Sequence, residues 1–172
     1  MENFIIRKAC IENAPRMAEI HVFGWRCAYK DFIPMDFLIN KHTVNKREEK
    51  FREYLSGNND YGETYVFEEN NIIKAFMTIG NCRDEDKNNK TFELQGIYVD
   101  PLFQRQKTGT HLVEYCIKEA RIKDKNEIVL WVFEKNYETI KFYKKKGFEK
   151  DGKSKLSEYF NENIIRMSMK LK

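Results

Sequence analysis

At 172 residues the chain has the length of one domain, able to bury a large share of its surface in one core, so a single domain over residues 1–172 is expected. With 41% hydrophobic and 34% charged residues, only eight glycines and three prolines, the composition excludes disordered and repeat classes. The formal charge of +4 is a balance of many charges of both signs, which fits a modest preference for anionic ligands and gives no nucleic-acid footprint. No run approaches the roughly 18 to 20 apolar residues of a membrane span. The start M1-E-N-F-I-I-R-K8 lacks the basic region and apolar core of a signal peptide, so a cytoplasmic protein with no membrane partner is expected. Cys10, Cys27, Cys82 and Cys116 stand apart, without a CxxC or a Cys/His pair at zinc spacing, so reduced thiols and no metal are expected.

Residues Phe4 to Lys8 alternate as a short strand. After N13-A-P15, Met17, Ile20, Gly24 and Ala28 follow helical spacing through W25-R-C-A-Y29. A loop with Pro34 leads to a short helix from Met35 to Asn40, and Val44, Phe51 and Leu55 line one side of a charged helix ending at S56-G-N-N59. T64-Y-V-F-E-E69 runs through the turn formers Asn70 and Asn71 into I72-I-K-A-F-M-T-I-G80, a hairpin pattern. The polar run from Asn81 to Lys90 is expected as a mobile surface loop. F92-E-L-Q-G-I-Y-V99 predicts a strand, and Thr108 to Asp124 a helix whose buried face is Leu112, Val113, Cys116, Ile117 and Ala120. E127-I-V-L-W-V-F133 is apolar at almost every position, as in a strand covered on both faces. A helix from Tyr137 to Lys146 stops at Gly147, and Phe148–Lys153 and Ile164–Leu171 close the chain as strands. This order calls for an α/β architecture, a mixed sheet with helices on its faces.

Two segments carry chemistry. In L94-Q-G-I-Y-V-D-P-L-F-Q-R-Q-K-T-G-T-H-L112, Pro101 stops the strand and Gln104 to Gly109 turn into a helix N-terminus. Amides and dipole there favour phosphate, with Arg105 and Lys107 adding positive charge, although a solvated basic turn has the same composition. The run is neither a Walker A loop nor a GxGxxG turn. In N136-Y-E-T-I-K-F-Y-K-K-K-G-F148, Asn136 can cap a helix with Ile140, Tyr143 and Gly147 on one side. Tyr143 is then either a core aromatic or a hydroxyl aimed into a cleft.

Together these segments resemble the GCN5-related N-acetyltransferase (GNAT) family. Q104-R-Q-K-T-G109 looks like its acetyl-CoA motif Q/R-x-x-G-x-G/A, and N-x-x-T-x-x-F-Y-x-x-x-G-F is similar to the motif that follows. The resemblance implies the GNAT fold, a mostly antiparallel seven-stranded sheet splayed between its fourth and fifth strands, with acetyl-CoA in the cleft and no metal. Ile97, Tyr98 and Val99 would then face the acetyl-pantetheine arm, on a strand bulged at Gly96. Gln104, Arg105, Gln106, Lys107, Thr108, Gly109 and Thr110 would cradle the pyrophosphate, Asn136 would lie beside the pantetheine, and Tyr143 near the thioester sulfur. Lys107 departs from the pattern, standing where the family has its first glycine. A lysine keeps the amide, is expected to need an ordinary backbone angle, and brings an ammonium that can pair with a phosphate.

The implied reaction is attack of a neutral amine on the acetyl carbonyl, with an amide near Tyr98 stabilising the oxyanion and Tyr143 protonating the leaving thiolate. Glu93 is the candidate base; an exposed strand glutamate is the plainer reading of the same residue. His21, Trp25 and Tyr29 at helical spacing suggest one wall of the acceptor pocket, with Phe32, Ile33 and Pro34 as a rim, although a histidine among aromatics is also a common structural feature. The expected acceptor is a primary amine of a small molecule, a polyamine or amino compound. The alternatives are a protein N-terminus or lysine as acceptor, or a degenerate acyl-CoA-binding module. RNA binding is disfavoured because K144-K-K146 is matched by Glu134, Glu138 and Glu149. A homodimer pairing near Ile164–Met169 is a further expectation.

Overall fold

The computed structural model describes residues 4–57, 62–158 and 160–172; Asn58 and Asn59, expected to end a helix, lie outside them. Its strands are β1 (Phe4–Lys8), β2 (Glu63–Glu69), β3 (Ile72–Asn81), β4 (Thr91–Val99), β5 (Glu127–Phe133), β6 (Glu149–Leu156) and β7 (Asn163–Lys170). Its helices are α1 (Ala14–Tyr29), α2 (Val44–Ser56), α3 (Thr108–Ile122) and α4 (Tyr137–Lys145). The strands form one seven-stranded sheet in the order β1-β2-β3-β4-β5-β7-β6. The chain divides into two compact units, residues 1–78 with 97–112 and residues 79–96 with 113–172.

The first unit is built on the hairpin of β2 and β3. Asn70 and Asn71 take φ of 53° and 61°, the left-handed angles that asparagine tolerates and a tight two-residue turn requires. β1 pairs antiparallel with β2 from Phe4↔Glu69 to Lys8↔Tyr65. The α1 face of Ala14, Met17, Ala18 and Ile20 packs with Phe51 of α2, Val66 and Phe76 in one apolar cluster. Truncating a fully buried Phe76 to alanine there costs about 3–5 kcal/mol. Between α1 and α2 the expected short helix is one wide helical turn, Phe37–Lys41, which ends at the buried His42.

In the second unit β5 runs antiparallel to β7 from Glu127↔Lys170 to Phe133↔Ile164, and parallel to β4 over Thr91–Glu93. α4 ends in a Schellman turn: the Phe148 amide donates to the Tyr143 carbonyl at 3.1 Å and the Gly147 amide to that of Lys144 at 3.0 Å. Gly147 sits at φ +93°, which a side chain would strain. β7 lies between β5 and β6, so the strand expected to pair two copies has both edges occupied, and β6 is the border of the sheet. Sequence order does not fix strand order, and the last strand inserts inside the sheet. The run 81–90, expected to be mobile, is tied down by charge. Buried Arg166 on β7 binds Asp84 at 2.9 Å and Asp86 at 2.7 Å, besides Asp151 at 2.6 Å. Lys87 holds the Glu127 carboxylate at 3.0 Å. No helix among the described residues is long and apolar enough to cross a membrane.

Candidate active site

In the first unit, Asp100 fixes how β4 ends. It is buried, its amide donates to the Lys74 carbonyl, and its carboxylate pairs with Arg16 and accepts from the Leu102 amide at 2.8 Å. The Asp-Pro pair thus caps the short turn Pro101–Phe103 and delivers the chain to Gln104. An Asp just before Pro is a recognisable cap signal in the sequence. Gln104, Arg105, Gln106 and Lys107 are exposed, and Thr108 is buried. Arg105 and Lys107 both take left-handed angles, φ 62° and 64°. This corrects the expectation for Lys107: the lysine adopts the angle for which a glycine is the usual residue, at a strain of about 1 kcal/mol. The Lys107 carbonyl accepts the α3 hydrogen bond from the His111 amide at 3.1 Å, so the Thr108, Gly109 and Thr110 amides precede the helical ladder. Left-handed residues alternating with others, at a helix N-terminus, make a concave nest of amides suited to phosphate oxygens.

Nearby in sequence, Ile97, Tyr98 and Val99 form the half-buried end of β4. The Tyr98 ring lies 4.3 Å from that of His21 and 5.1 Å from that of Phe76, and burial raises its pKa above the usual phenol value. His21 is in turn stacked with Trp25 at 5.4 Å, and Trp25 meets Tyr29 edge-on at 5.0 Å. The three residues expected to form one wall therefore do adjoin. A fourth member comes from outside α1: His42 Nε2 lies 3.0 Å from His21 Nδ1. Burial holds the pKa of His21 well below 6.5, helped by the Arg47 guanidinium and by His42. Burial, then Arg47, Arg26 and Lys50, lower that of His42 to about 4. Both imidazoles are neutral at pH 7. His42 sits in a turn with no periodicity to mark it, and nothing in the sequence pointed to it.

The second unit carries the remaining expected residues. Glu93 is 4% exposed, which removes the reading of an exposed strand glutamate. Arg83 holds its carboxylate through Nε at 3.0 Å and Nη2 at 2.7 Å, and the Arg83 amide adds a contact at 3.3 Å. Asn136 caps α4, its side chain accepting from the Thr139 amide at 3.4 Å. Tyr143 is buried on α4, its ring 5.6 Å from Phe148 and 5.2 Å from Phe142. No group of three or more His, Cys, Asp or Glu among the described residues could hold a metal ion.

The family model of the acetyltransferase (GNAT) family matches residues 25–148, a span that includes both the amide nest and the α4 segment. The chain belongs to the GNAT family. Its GNAT relatives include the uncharacterized N-acetyltransferase YuaI of Bacillus subtilis, 28% identical over 138 residues, 80% of this chain and 76% of that protein. Among solved structures, the PaiA N-acetyltransferase of Thermoplasma acidophilum in complex with coenzyme A superposes with a TM-score of 0.77 at 20% identity, covering 98% of this chain and 99% of the other. The ribosomal-protein-S18-alanine N-acetyltransferase of Escherichia coli gives 0.65 at 20% identity, covering 97% and 93%. At that identity these likenesses speak for the fold alone, and the mixed seven-stranded sheet with flanking helices is that of the GNAT acyltransferases. GNAT membership carries the general activity with it, transfer of an acetyl group to an amine.

Proposed function

We propose that this GNAT chain transfers the acetyl group of acetyl-CoA to a primary amine of a small molecule of the amino-compound class. The observation that carries this reading is the left-handed pair Arg105 and Lys107 in the turn that leads into the N-terminus of α3, a backbone arrangement suited to phosphate oxygens. Acetyl-CoA, when bound, supplies the activated acetyl group. Gln104 through Thr110 hold its phosphates in this proposal, and the end of β4 from Ile97 to Val99 offers backbone groups to its arm, with an amide near Tyr98 for the oxyanion. Asn136 and Tyr143 keep the parts their motif implies, a contact to the arm and the acid for the leaving sulfur. The acceptor is assigned to the half-buried aromatic wall of Trp25, Tyr29 and Tyr98. The cations Arg26, Arg47 and Lys50 that oppose protonation of His42 also oppose a multiply charged polyamine, which favours singly charged amino compounds.

Calorimetric titration with acetyl-CoA and with CoA, followed by thiol release from acetyl-CoA with spermidine, tyramine, glycine and an N-terminal peptide, tests the reading. Micromolar binding with turnover of tyramine or glycine is expected. Turnover of the peptide alone would replace the small-molecule acceptor by a protein one. Binding without any turnover would make the chain a degenerate acyl-CoA-binding module.

A further inference from the structure

The sequence offered Glu93 as the base, but its carboxylate is committed to Arg83. The first unit holds a different proton acceptor. His21 of α1 and His42 are both buried, with Nδ1 and Nε2 3.0 Å apart, so two neutral rings share one N–H···N hydrogen bond. When His21 donates from Nδ1, its Nε2 keeps a lone pair, and His42 carries its own proton on Nδ1. A proton arriving at His21 Nε2 then sends the Nδ1 proton to His42 Nε2, and His42 releases one from Nδ1.

We propose that His21 is the base that deprotonates the acceptor amine, with His42 as the exit for the proton. The assignment rests on the acetyl-transfer reading above. The proton balance is simple: the ammonium gives one proton to His21 Nε2, and the freed nitrogen lone pair forms the C–N bond. Aromatic rings enclose the pair, Trp25 at 5.4 Å, Tyr98 at 4.3 Å, Phe51 at 5.9 Å and Phe76 at 6.4 Å from His21. The charged and titratable groups facing it are Arg26 from α1, Arg47 and Lys50 from α2, and the neutral Tyr98 phenol from β4. Three cations make an imidazolium short-lived, so the proton moves on; the pair is then neutral with both protons on Nε2, and His21 accepts again once its Nε2 proton has left with the products and His42 Nδ1 has been reprotonated from solvent. The same field lowers the pKa of an ammonium brought beside it, from about 10 toward that of the imidazole.

His21→Asn is the decisive variant, because the asparagine amide nitrogen stands near the place of Nδ1, keeping the bond to His42 while removing Nε2. With tyramine and glycine as acceptors, the wild-type kcat/KM is expected to be flat from about pH 6 to 9, since the site accepts the ammonium form. In His21→Asn, kcat is expected to fall about 100-fold and kcat/KM to rise tenfold per pH unit through that window, as only free amine reacts. His42→Gln, which keeps an amide near Nε2, is expected to show a smaller fall with the same change of slope. Affinity for acetyl-CoA should stay within about twofold in both variants. An active enzyme whose His21→Asn form keeps its rate and pH profile would overturn this assignment alone, leaving a structural pair. Wild type that binds acetyl-CoA and acetylates none of the amines would overturn the transfer reading with it. Where His21→Asn fails to fold, the pH profile of His42→Gln decides: a kcat/KM that rises with pH supports the relay, and one as flat as that of the wild type overturns it.

Discussion

Arg83 closes on Glu93 with two guanidinium hydrogen bonds, to Oε2 at 3.0 Å and to Oε1 at 2.7 Å, ten residues apart across the 82–90 segment. Both carboxylate oxygens are committed to the guanidinium, and the pair anchors the strand to the segment before it. Glu93→Gln is therefore expected to cost about 1–2 kcal/mol in urea unfolding while leaving kcat within about threefold. A fall of two orders of magnitude in kcat would return the base to Glu93.

The left-handed Lys107 leads to an expectation that runs against its bulk. Lys107→Gly removes the strain at φ 64° and leaves the amides in place, so stability should hold or rise by about 1 kcal/mol. Acetyl-CoA affinity should change by only a few-fold, through loss of the ammonium. Calorimetry of the two proteins side by side measures this, and abolished binding in the glycine variant would show that the ammonium, not the nest, holds the cofactor.

Tyr143→Phe isolates the proposed acid. The ring is buried against Phe142 and Phe148, so its packing survives the change. Turnover should drop by about 100-fold with acetyl-CoA affinity unaltered. Equal turnover in both proteins would remove Tyr143 from the chemistry.

Stability should depend on acid through the histidine pair. Both folded pKa values lie below the unfolded value of 6.5, His42 at about 4, so the unfolded chain binds more protons between those limits. Their contribution is fully present above pH 6.5 and is lost as pH falls, at up to about 1.4 kcal/mol per pH unit for each ring. Urea midpoints from pH 7.5 to 4.5 should fall accordingly. The dependence should flatten in a His42→Gln variant, and an unchanged slope there would locate the effect elsewhere.

Arg166 is 3% exposed and is met by three carboxylates. Arg166→Met leaves Asp84 and Asp151 crowded without their cation, at an expected cost of about 3–5 kcal/mol. Amide exchange over residues 82–90 should be slow in the wild type and fast in the variant. Fast exchange in both would mean the pairs do not hold that segment in solution.

Much of this was legible in the sequence because it is local. Met17 and Ile20 on α1, the Asn70–Asn71 turn, and Asn136 with Gly147 around α4 each report on their own neighbourhood through periodicity or cap chemistry. The GNAT motif likewise placed the Gln104–Gly109 turn. What stayed hidden depends on pairs far apart in the chain. His42 meets His21 across a turn and a helix, and Arg166 finds Asp84 across 82 positions. The Lys107 angle was also out of reach, because the residue type argues for one conformation and the turn enforces another.

The border strand β6 is exposed along nearly its whole length and carries Lys150, Lys153 and Lys155. Its ladder to β7 breaks register between Lys150 and Ser154, around Gly152 at φ +87°. A neighbour seeking to extend the sheet would meet repelling ammonium groups and a backbone that no longer presents evenly spaced amides. The molecule thus terminates its own sheet at that border, and a fibril nucleus starting there would first have to straighten the kink.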